Sequence, residues 1–214
     1  MKSICVNTFF TPSYAPLAAI VIPNLIKYCN KHGYKYLINE TSDDKFHFVK
    51  IKDTRKLLDV FDVTFTIELD AMIMNHKIKI ESFLDEENEM YYTTDRNGAN
   101  FGVSLWKSTP YTKELLDKLI SLENEFGDEQ NYFEQNPIID KVKVLQHPNF
   151  NSIPYPFYKP SLGVIGYKDG DEVTMPTMEQ GNYETGNFVC HLPGKTLNER
   201  LTIFNELKQH IIYE

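Results

Sequence analysis

Two hydrophobic periods alternate along the first third of the chain. Short apolar runs rich in Val, Ile and Phe are followed by longer segments in which apolar residues recur at helical spacing. The first pattern is typical of buried strands and the second of amphipathic helices. The predicted elements are strands at 3–10, 34–39 and 63–70 and helices at 17–31 and 45–60. This order predicts an α/β fold, with a mostly parallel central sheet flanked by helices and ligands bound at the carboxyl ends of the strands.

The pattern is weaker in the remaining two thirds. Residues 148–183 combine Pro, Gly and Tyr with little periodicity, which predicts loops and short strands that form a rim over a site. The other predicted elements are helices at 76–84, 110–122 and 197–212 and strands at 90–94, 99–106, 142–145 and 187–191.

Composition narrows the class of protein. A chain of 214 residues that is 42% hydrophobic can fold as one domain. The net charge of -8 and the pI near 5.3 argue against nucleic acid or an anionic membrane surface as partner. We find no apolar run approaching the ~20 residues of a membrane span, and the first residues lead into a strand rather than a signal peptide. We therefore expect a cytoplasmic protein without a membrane anchor, with a small or carbohydrate-like partner.

The three cysteines, Cys5, Cys29 and Cys190, are far apart and lack metal-ligand spacing. An odd number without such spacing predicts free buried thiols and a reducing compartment.

The chain is organised around the segment from Val63 to Asn75, an apolar strand that ends in two acids. In an extended strand Glu68 and Asp70 share a face and can meet one ligand. Neighbouring carboxylates repel each other unless a cation lies between them, and Mg²⁺ or Mn²⁺ prefers oxygen ligands. The spacing is equally compatible with two solvated acids at a strand end.

Further polar segments surround this strand in the sequence. They are Phe48-Val-Lys50, Asn75, Asn100-Phe101-Gly102-Val, Asp128-Glu129-Gln130 and His191-Leu-Pro-Gly-Lys195. With Glu68-Leu-Asp70-Ala71, their order resembles the landmarks of GT-A glycosyltransferases. It is most similar to the galactosyl/mannosyl/xylosyltransferase family, which carries W-x-K, D-x-D-A, N-T-G, E-Q and H-x-x-G-K motifs. The resemblance covers 48–195, and it departs from the family at Phe48, Glu68 and Phe101.

The resemblance implies a single GT-A domain that moves a sugar from a nucleotide-diphosphate sugar, with UDP expected, to a glycan or glycoprotein acceptor. It divides the chain into a nucleotide-binding half at about 1–95 and a sugar-binding half at about 96–214. Short members in large algal viruses, which decorate capsid glycans, also lack an anchor. A viral source would place the protein in the host cytoplasm.

The resemblance also assigns roles to residues. Mn²⁺ or Mg²⁺ would be bound by Glu68, Asp70 and His191, with Glu68 on the metal or the ribose. Lys195 and Lys50 would contact phosphate. Thr8, Phe9 and Tyr14 would flank the base, Asn100 and Gly102 would contact the donor sugar, and Asp128, Glu129 and Gln130 would lie near the anomeric carbon.

Each residue also has a purely structural interpretation. His191, Phe9 and Trp106 could be core residues, and Lys50 could be a solvated helix charge. Residues 100–102 could be a strand with a bulge, and 128–130 could be the acidic N-terminus of a helix.

Three other functions remain open. A sugar-phosphate nucleotidyltransferase would need a Gly-rich loop where Thr11-Pro-Ser-Tyr14 stands. An aspartyl phosphatase would carry its acids on the first strand. A carbohydrate-binding module would bind sugar without nucleotide or metal.

Overall fold

A computed structural model describes residues 2–42, 46–95, 98–126, 132, 141–145, 150, 165–168, 171–174 and 183–214. Its helices are α1 (Ala15–His32), α2 (Phe46–Leu57), α3 (Pro110–Ser121) and α4 (Leu197–Leu207), with 3₁₀ turns at Pro12–Tyr14, Ile80–Phe83 and Lys208–His210. Its strands are β1 (Ile4–Phe10), β2 (Lys35–Glu40), β3 (Val63–Ile67), β4 (Ala71–Ile73), β5 (Met90–Asp95), β6 (Gly98–Lys107), β7 (Val142–Val144), β8 (Ile165–Lys168), β9 (Asp171–Thr174) and β10 (Val189–His191).

The central sheet has six strands in the order β2-β1-β3-β6-β5-β7. β1 is parallel to β2 and β3, β7 is parallel to β5, and β6 is antiparallel to both β3 and β5. Most of the strand pairs are therefore parallel, which confirms the predicted α/β fold. The antiparallel β6 lies directly beside β3, so it brings Asn100 and Gly102 to the edge where the acidic strand ends.

Two apolar layers enclose the sheet. On one face the side chains of β1 and β3, such as Val6 and Phe65, pack with Leu25 and Tyr28 of α1. On the other face the buried Trp106 and Phe101 of β6 pack with α2 and α3. Trp106 is therefore a core residue, and its indole Nε1 donates a hydrogen bond to Ser104 Oγ at 2.9 Å.

The helices begin and end where capping residues allow. α1 begins at Ala15, two residues before the predicted start, because Pro16 is tolerated in the first turn of a helix. It ends before Gly33, whose φ of 74° closes the C-terminus. α3 and α4 both carry capping boxes, at Thr109 and Thr196. None of the described helices has both the length and the apolar character needed to cross a bilayer. The three cysteines are free and buried, as predicted.

Two predicted elements were wrong. Residues 76–84 form loop and the short 3₁₀ turn at Ile80–Phe83 rather than a helix. The terminal helix ends at Leu207 rather than at 212, because Ile212 instead forms a parallel bridge with Asn75. The predicted rim at 148–183 lies mostly outside the described residues, although β8 and β9 form an antiparallel pair within it.

The acidic segment is not one continuous strand. β3 ends at Ile67, and residues 68–70 form a turn in which the Ala71 amide donates to the Glu68 carbonyl at 3.0 Å. β4 then pairs with β10 in antiparallel register, with His191 opposite Ala71. A turn, and not strand alternation, therefore brings Glu68 and Asp70 to the same edge of the sheet.

Candidate active site

Asp70 lies buried in the turn between β3 and β4, with only 7% of its surface exposed. Its two oxygens have different surroundings. Oδ2 accepts a hydrogen bond from Arg200 Nη2 of α4 at 2.6 Å, whereas Oδ1 lies 3.3 Å from His191 Nε2 and has no hydrogen-bond partner among the described residues. A buried carboxylate oxygen without a hydrogen bond is costly unless a ligand satisfies it.

Glu68 stands on the other side of the same turn. Its amide donates to the Gly102 carbonyl at 2.7 Å, and its Oε1 is in contact with Lys50 Nζ. Lys50 is only 2% exposed, so it is not the solvated helix charge of the structural interpretation. It points from α2 into the site.

Glu68, Asp70 and His191 can each offer one ligand atom, and these atoms all lie within 4.8 Å of one another. Two carboxylates and an imidazole are a donor set that suits Mn²⁺, and the carboxylates also suit Mg²⁺. The three residues predicted as metal ligands thus come together, and Oδ1 of Asp70 lies 3.3 Å from His191 Nε2. This donor set fits a divalent ion.

The charge state of Asp70 follows from its neighbours. Burial alone would raise the pKa of the Asp70 carboxyl, but nearby His191, Arg200 and Lys50 lower the pKa below its ordinary value. The carboxyl is therefore held in its ionised form, which is the form that binds a cation.

Gly102 of β6 seats the His191 ring. A Cβ atom at Gly102 would lie 2.5 Å from Cε1 and 2.8 Å from Nε2 of His191. Asn100 is buried and its Oδ1 accepts a hydrogen bond from the Gly102 amide at 3.0 Å. The pairing of β5 with β6 is irregular near this point, as the bulge interpretation predicted. In this structure the missing side chain of Gly102 leaves space for the imidazole, and Asn100 forms a hydrogen bond with the Gly102 backbone.

A cleft of about 470 Å³ opens at the carboxyl ends of β1 and β3, in front of the acidic turn. Its described lining is Phe9, Phe10, Thr11, Ser13, Tyr14, His47, Glu68, Leu69, Asp70 and Arg200. Phe9 and Tyr14 thus face the cleft, although Phe9 is also largely buried. Thr8 is buried and is not part of the described lining, and its hydroxyl has no hydrogen-bond partner in the part of the chain that the structure describes.

The remaining candidates are placed less directly. Lys195 follows Gly194, whose φ is 69°, and its Nζ lies 3.4 Å from Glu199 Oε1 at the start of α4. It is not part of the described cleft lining. The predicted group Asp128, Glu129 and Gln130 lies outside the described residues.

Comparison by sequence finds no matching family model and no matching curated protein. Solved structures do match. A glycosyltransferase involved in the glycosylation of the major capsid of PBCV-1 aligns with a TM-score of 0.72 and 16% identity, over 95% of this chain and 99% of that one. The chain has the fold of GT-A glycosyltransferases.

Two further GT-A structures agree. A LgtC active-site mutant matches with a TM-score of 0.54 and 12% identity, over 96% of this chain and 95% of that one. The bifunctional glycosyltransferase WbbM matches with a TM-score of 0.56 and 10% identity, over 98% of this chain and 52% of that one. At such identities the likeness concerns the GT-A fold alone.

Arg200 is the site residue that sequence reasoning missed. It is the fourth residue of α4, where the helix dipole favours acidic rather than basic side chains. A basic side chain at that position is therefore expected to pair with an acid elsewhere in the fold. This is the feature of the sequence that could have identified Arg200. His47, on the first turn of α2, was also missed, and its sequence surroundings carry no comparable signal.

Proposed function

We propose that the protein is a metal-dependent glycosyltransferase that transfers a sugar from a nucleotide-diphosphate sugar, a UDP-sugar, to a glycan or glycoprotein acceptor. The observation that supports this most is the group of Glu68, Asp70 and His191, two of which, Glu68 and Asp70, line a cleft. The cleft lies at the carboxyl ends of the strands, where α/β folds bind their ligands. The GT-A fold of the chain adds the reaction class.

The proposed metal site uses Asp70 and His191 as ligands, with Glu68 on the metal or on the ribose. A divalent ion bound there would offset the negative charge that develops on the departing diphosphate. We favour Mn²⁺ over Mg²⁺ because imidazole nitrogen suits the softer ion.

The donor would occupy the cleft in front of this cluster. Phe9 and Tyr14 offer aromatic walls for the base, and we keep Thr8, which precedes Phe9 on β1, as the third residue that would flank it. Lys195 is the proposed phosphate contact because an ammonium on a flexible stem can reach a diphosphate oxygen. Lys50 would act through Glu68, with which it is paired, rather than on the phosphate.

On the sugar side we keep Asn100 and Gly102 as contacts of the donor sugar. Asp128, Glu129 and Gln130 remain the candidates for groups near the anomeric carbon, where a carboxylate or an amide dipole would stabilise developing positive charge.

The acceptor is proposed from the PBCV-1 neighbour, which is involved in glycosylation of the major capsid of that virus. A capsid glycan is a candidate acceptor here as well. We also propose a viral source, with activity in the host cytoplasm.

The deciding experiment measures release of nucleoside diphosphate from a panel of UDP- and GDP-sugars, with Mn²⁺, with Mg²⁺ or with a chelator. We expect release from a UDP-sugar with Mn²⁺ and none in chelator. Asp70→Asn should abolish release while the protein stays folded. Glu68→Asp should retain more activity than Glu68→Ala, because it keeps the charge. Asp85→Asn is the matched control, since it neutralises an acid in a hydrogen-bonded turn outside the cleft.

Thermal melting supplies an independent readout. A ligand at about a hundred times its dissociation constant stabilises a fold by roughly 2.7 kcal/mol. For a chain of this size that corresponds to a rise in melting temperature of roughly 5 to 10 °C. We expect this rise with UDP plus Mn²⁺ only. If no nucleotide shifts the melting temperature but the protein binds sugar, the better assignment is a carbohydrate-binding module rather than an enzyme.

A further inference from the structure

Each acid of the candidate metal site has its own cation. Lys50 Nζ contacts Glu68 Oε1, and Arg200 Nη2 lies 2.6 Å from Asp70 Oδ2. The side chains of Lys50, Asp70 and Arg200 are 3%, 9% and 12% exposed. Among these four described side chains the positive and negative charges cancel. These two described ion pairs are therefore electrically balanced before any ion enters.

The two cations belong to different helices. Lys50 projects from α2, whereas Arg200 projects from α4, the helix that follows β10. Because these elements are separate, either cation can be removed without displacing the other.

Arg200 is held firmly where it stands. Its Nε donates to the Leu192 carbonyl at 3.2 Å and its Nη1 donates to the Tyr14 hydroxyl at 3.3 Å, while Nη2 pairs with Asp70. A guanidinium with partners on all three nitrogens does not swing away at low cost. Its charge stays beside Asp70 whether or not an ion is bound.

This balance has a consequence for ion affinity. A divalent cation is attracted by the net charge of its site, and two carboxylates that are each paired with a cation attract it far less than two unpaired carboxylates. A diphosphate that enters with the ion contributes the missing negative charge. The ion and the diphosphate then stabilise each other, and each alone binds weakly.

We infer that Lys50 and Arg200 are positioning residues that act as internal counter-ions of the metal site and make retention of the ion depend on a nucleoside diphosphate. The inference rests on the proposed function for the identity of that diphosphate. Neither residue belongs to the cluster of ligands itself. Both act through Glu68 and Asp70.

The test titrates Mn²⁺ into the protein without nucleotide and measures free Mn²⁺ by electron paramagnetic resonance. We compare wild type with Lys50→Met and Arg200→Gln, which remove one charge each, and with Arg200→Lys, which keeps it. Each charge removal should tighten Mn²⁺ binding by about tenfold or more, whereas Arg200→Lys should stay close to wild type. Lys113→Met is the control for loss of a paired cation, because Lys113 pairs with Asp59, which is not one of the cluster residues.

The sign of the effect separates this role from a merely structural one. A residue that only shapes the site would, when replaced, weaken Mn²⁺ binding. Weaker or unchanged binding in both Lys50→Met and Arg200→Gln would therefore overturn the inference. Thermal melting without ion identifies any variant that fails to fold. Mn²⁺ binding by the variant that does fold then tests the inference.

Wild type provides a second test that needs no variant. Adding UDP should tighten Mn²⁺ binding in wild type, and by a larger factor than in Arg200→Gln. Tight Mn²⁺ binding by wild type without nucleotide would overturn the inference even if sugar transfer is found. Conversely, suppose that the protein shows the expected pattern of Mn²⁺ binding but releases no nucleoside diphosphate from any sugar nucleotide. That result would support the role of the two counter-ions and contradict the proposed function.

Discussion

Gly102→Ala is the substitution whose outcome the structure specifies most directly. Gly102 is not among the described glycines with positive φ, so alanine suits its backbone conformation. The added methyl would nevertheless lie 2.5 Å from Cε1 and 2.8 Å from Nε2 of His191. These distances are far below the 3.5–4.0 Å at which carbon atoms attract each other. The imidazole must move.

The cost follows from the surroundings of the ring. His191 is only 1% exposed, so its ring has no solvent-filled space into which it can turn. Overpacking at a buried position costs about 1–3 kcal/mol, and each kcal/mol lowers the melting temperature of a chain of this size by about 2–4 °C. We expect a fall of roughly 2–12 °C, together with loss of Mn²⁺ binding, because a displaced imidazole no longer faces Asp70 Oδ1.

A double-mutant cycle isolates this contact. Gly102→Ala is made in wild type and in a His191→Ala background, and unfolding is followed by calorimetry and by denaturant titration. If the clash with the ring is the cause, the alanine should cost about 1–3 kcal/mol in wild type and little where the ring is absent. An equal loss in both backgrounds would refute the reasoning, and so would a stable Gly102→Ala protein that binds Mn²⁺ normally.

Three further predictions concern binding, capping and pH. Lys195→Ala should weaken UDP binding in Mn²⁺ by calorimetry, whereas Gln130→Ala should mainly lower turnover, and the reverse pattern would contradict the proposed orientation of the donor. Thr196→Ala removes the cap of α4 and should cost about 1 kcal/mol of stability, whereas Thr202→Ala inside that helix should not; equal effects would mean that the cap contributes nothing. In the loop before β5, burial alone would raise the pKa of Asp85, but hydrogen bonds from neighbouring groups lower it below 3.8. The ionised Asp85 carboxylate therefore stabilises the fold at neutral pH, and this contribution is lost as the pH falls below about 4. We expect the stabilities of wild type and Asp85→Asn to converge in acid denaturation. A constant difference in stability between them down to pH 2 would refute this prediction.

The fold could be predicted from the sequence wherever the signal is local. The alternation of short apolar runs and helical spacing gave β1, α1, β2, α2 and β3 to within a few residues, because each pattern lies within its own element. Gly33 and Thr109 likewise mark helix ends through their own backbone and side-chain chemistry. The helix predicted at 76–84 was wrong because the apolar residues of this segment pack onto a core formed by distant strands. Their helical spacing therefore carries no information about the local conformation.

Three residues predicted as metal ligands lie together in the structure, but the turn that brings the two acids together was not predicted. Glu68, Asp70 and His191 were identified from spacing and family order, yet the turn that brings the two acids together depends on a hydrogen bond from Glu68 to Gly102 of β6. Arg200 could not be found from motif order, because its role depends on a contact across the fold with Asp70. The close packing of Gly102 against His191 likewise cannot be recognised from the sequence, because the two residues are distant in the chain.

The pairing of β4 with β10 also bears on when the protein becomes competent during synthesis. Asp70 and His191 lie more than half the chain apart, and Arg200 follows still later. A chain emerging from the ribosome can therefore form β1, β2 and β3 long before the cluster exists, and closing so long a loop is slow. Ion binding should be among the last native properties to appear in refolding. The same late contact should be among the first lost in partial unfolding, so a bound ion and nucleotide would slow amide exchange in β4, β10 and α4 before they slow it in β1.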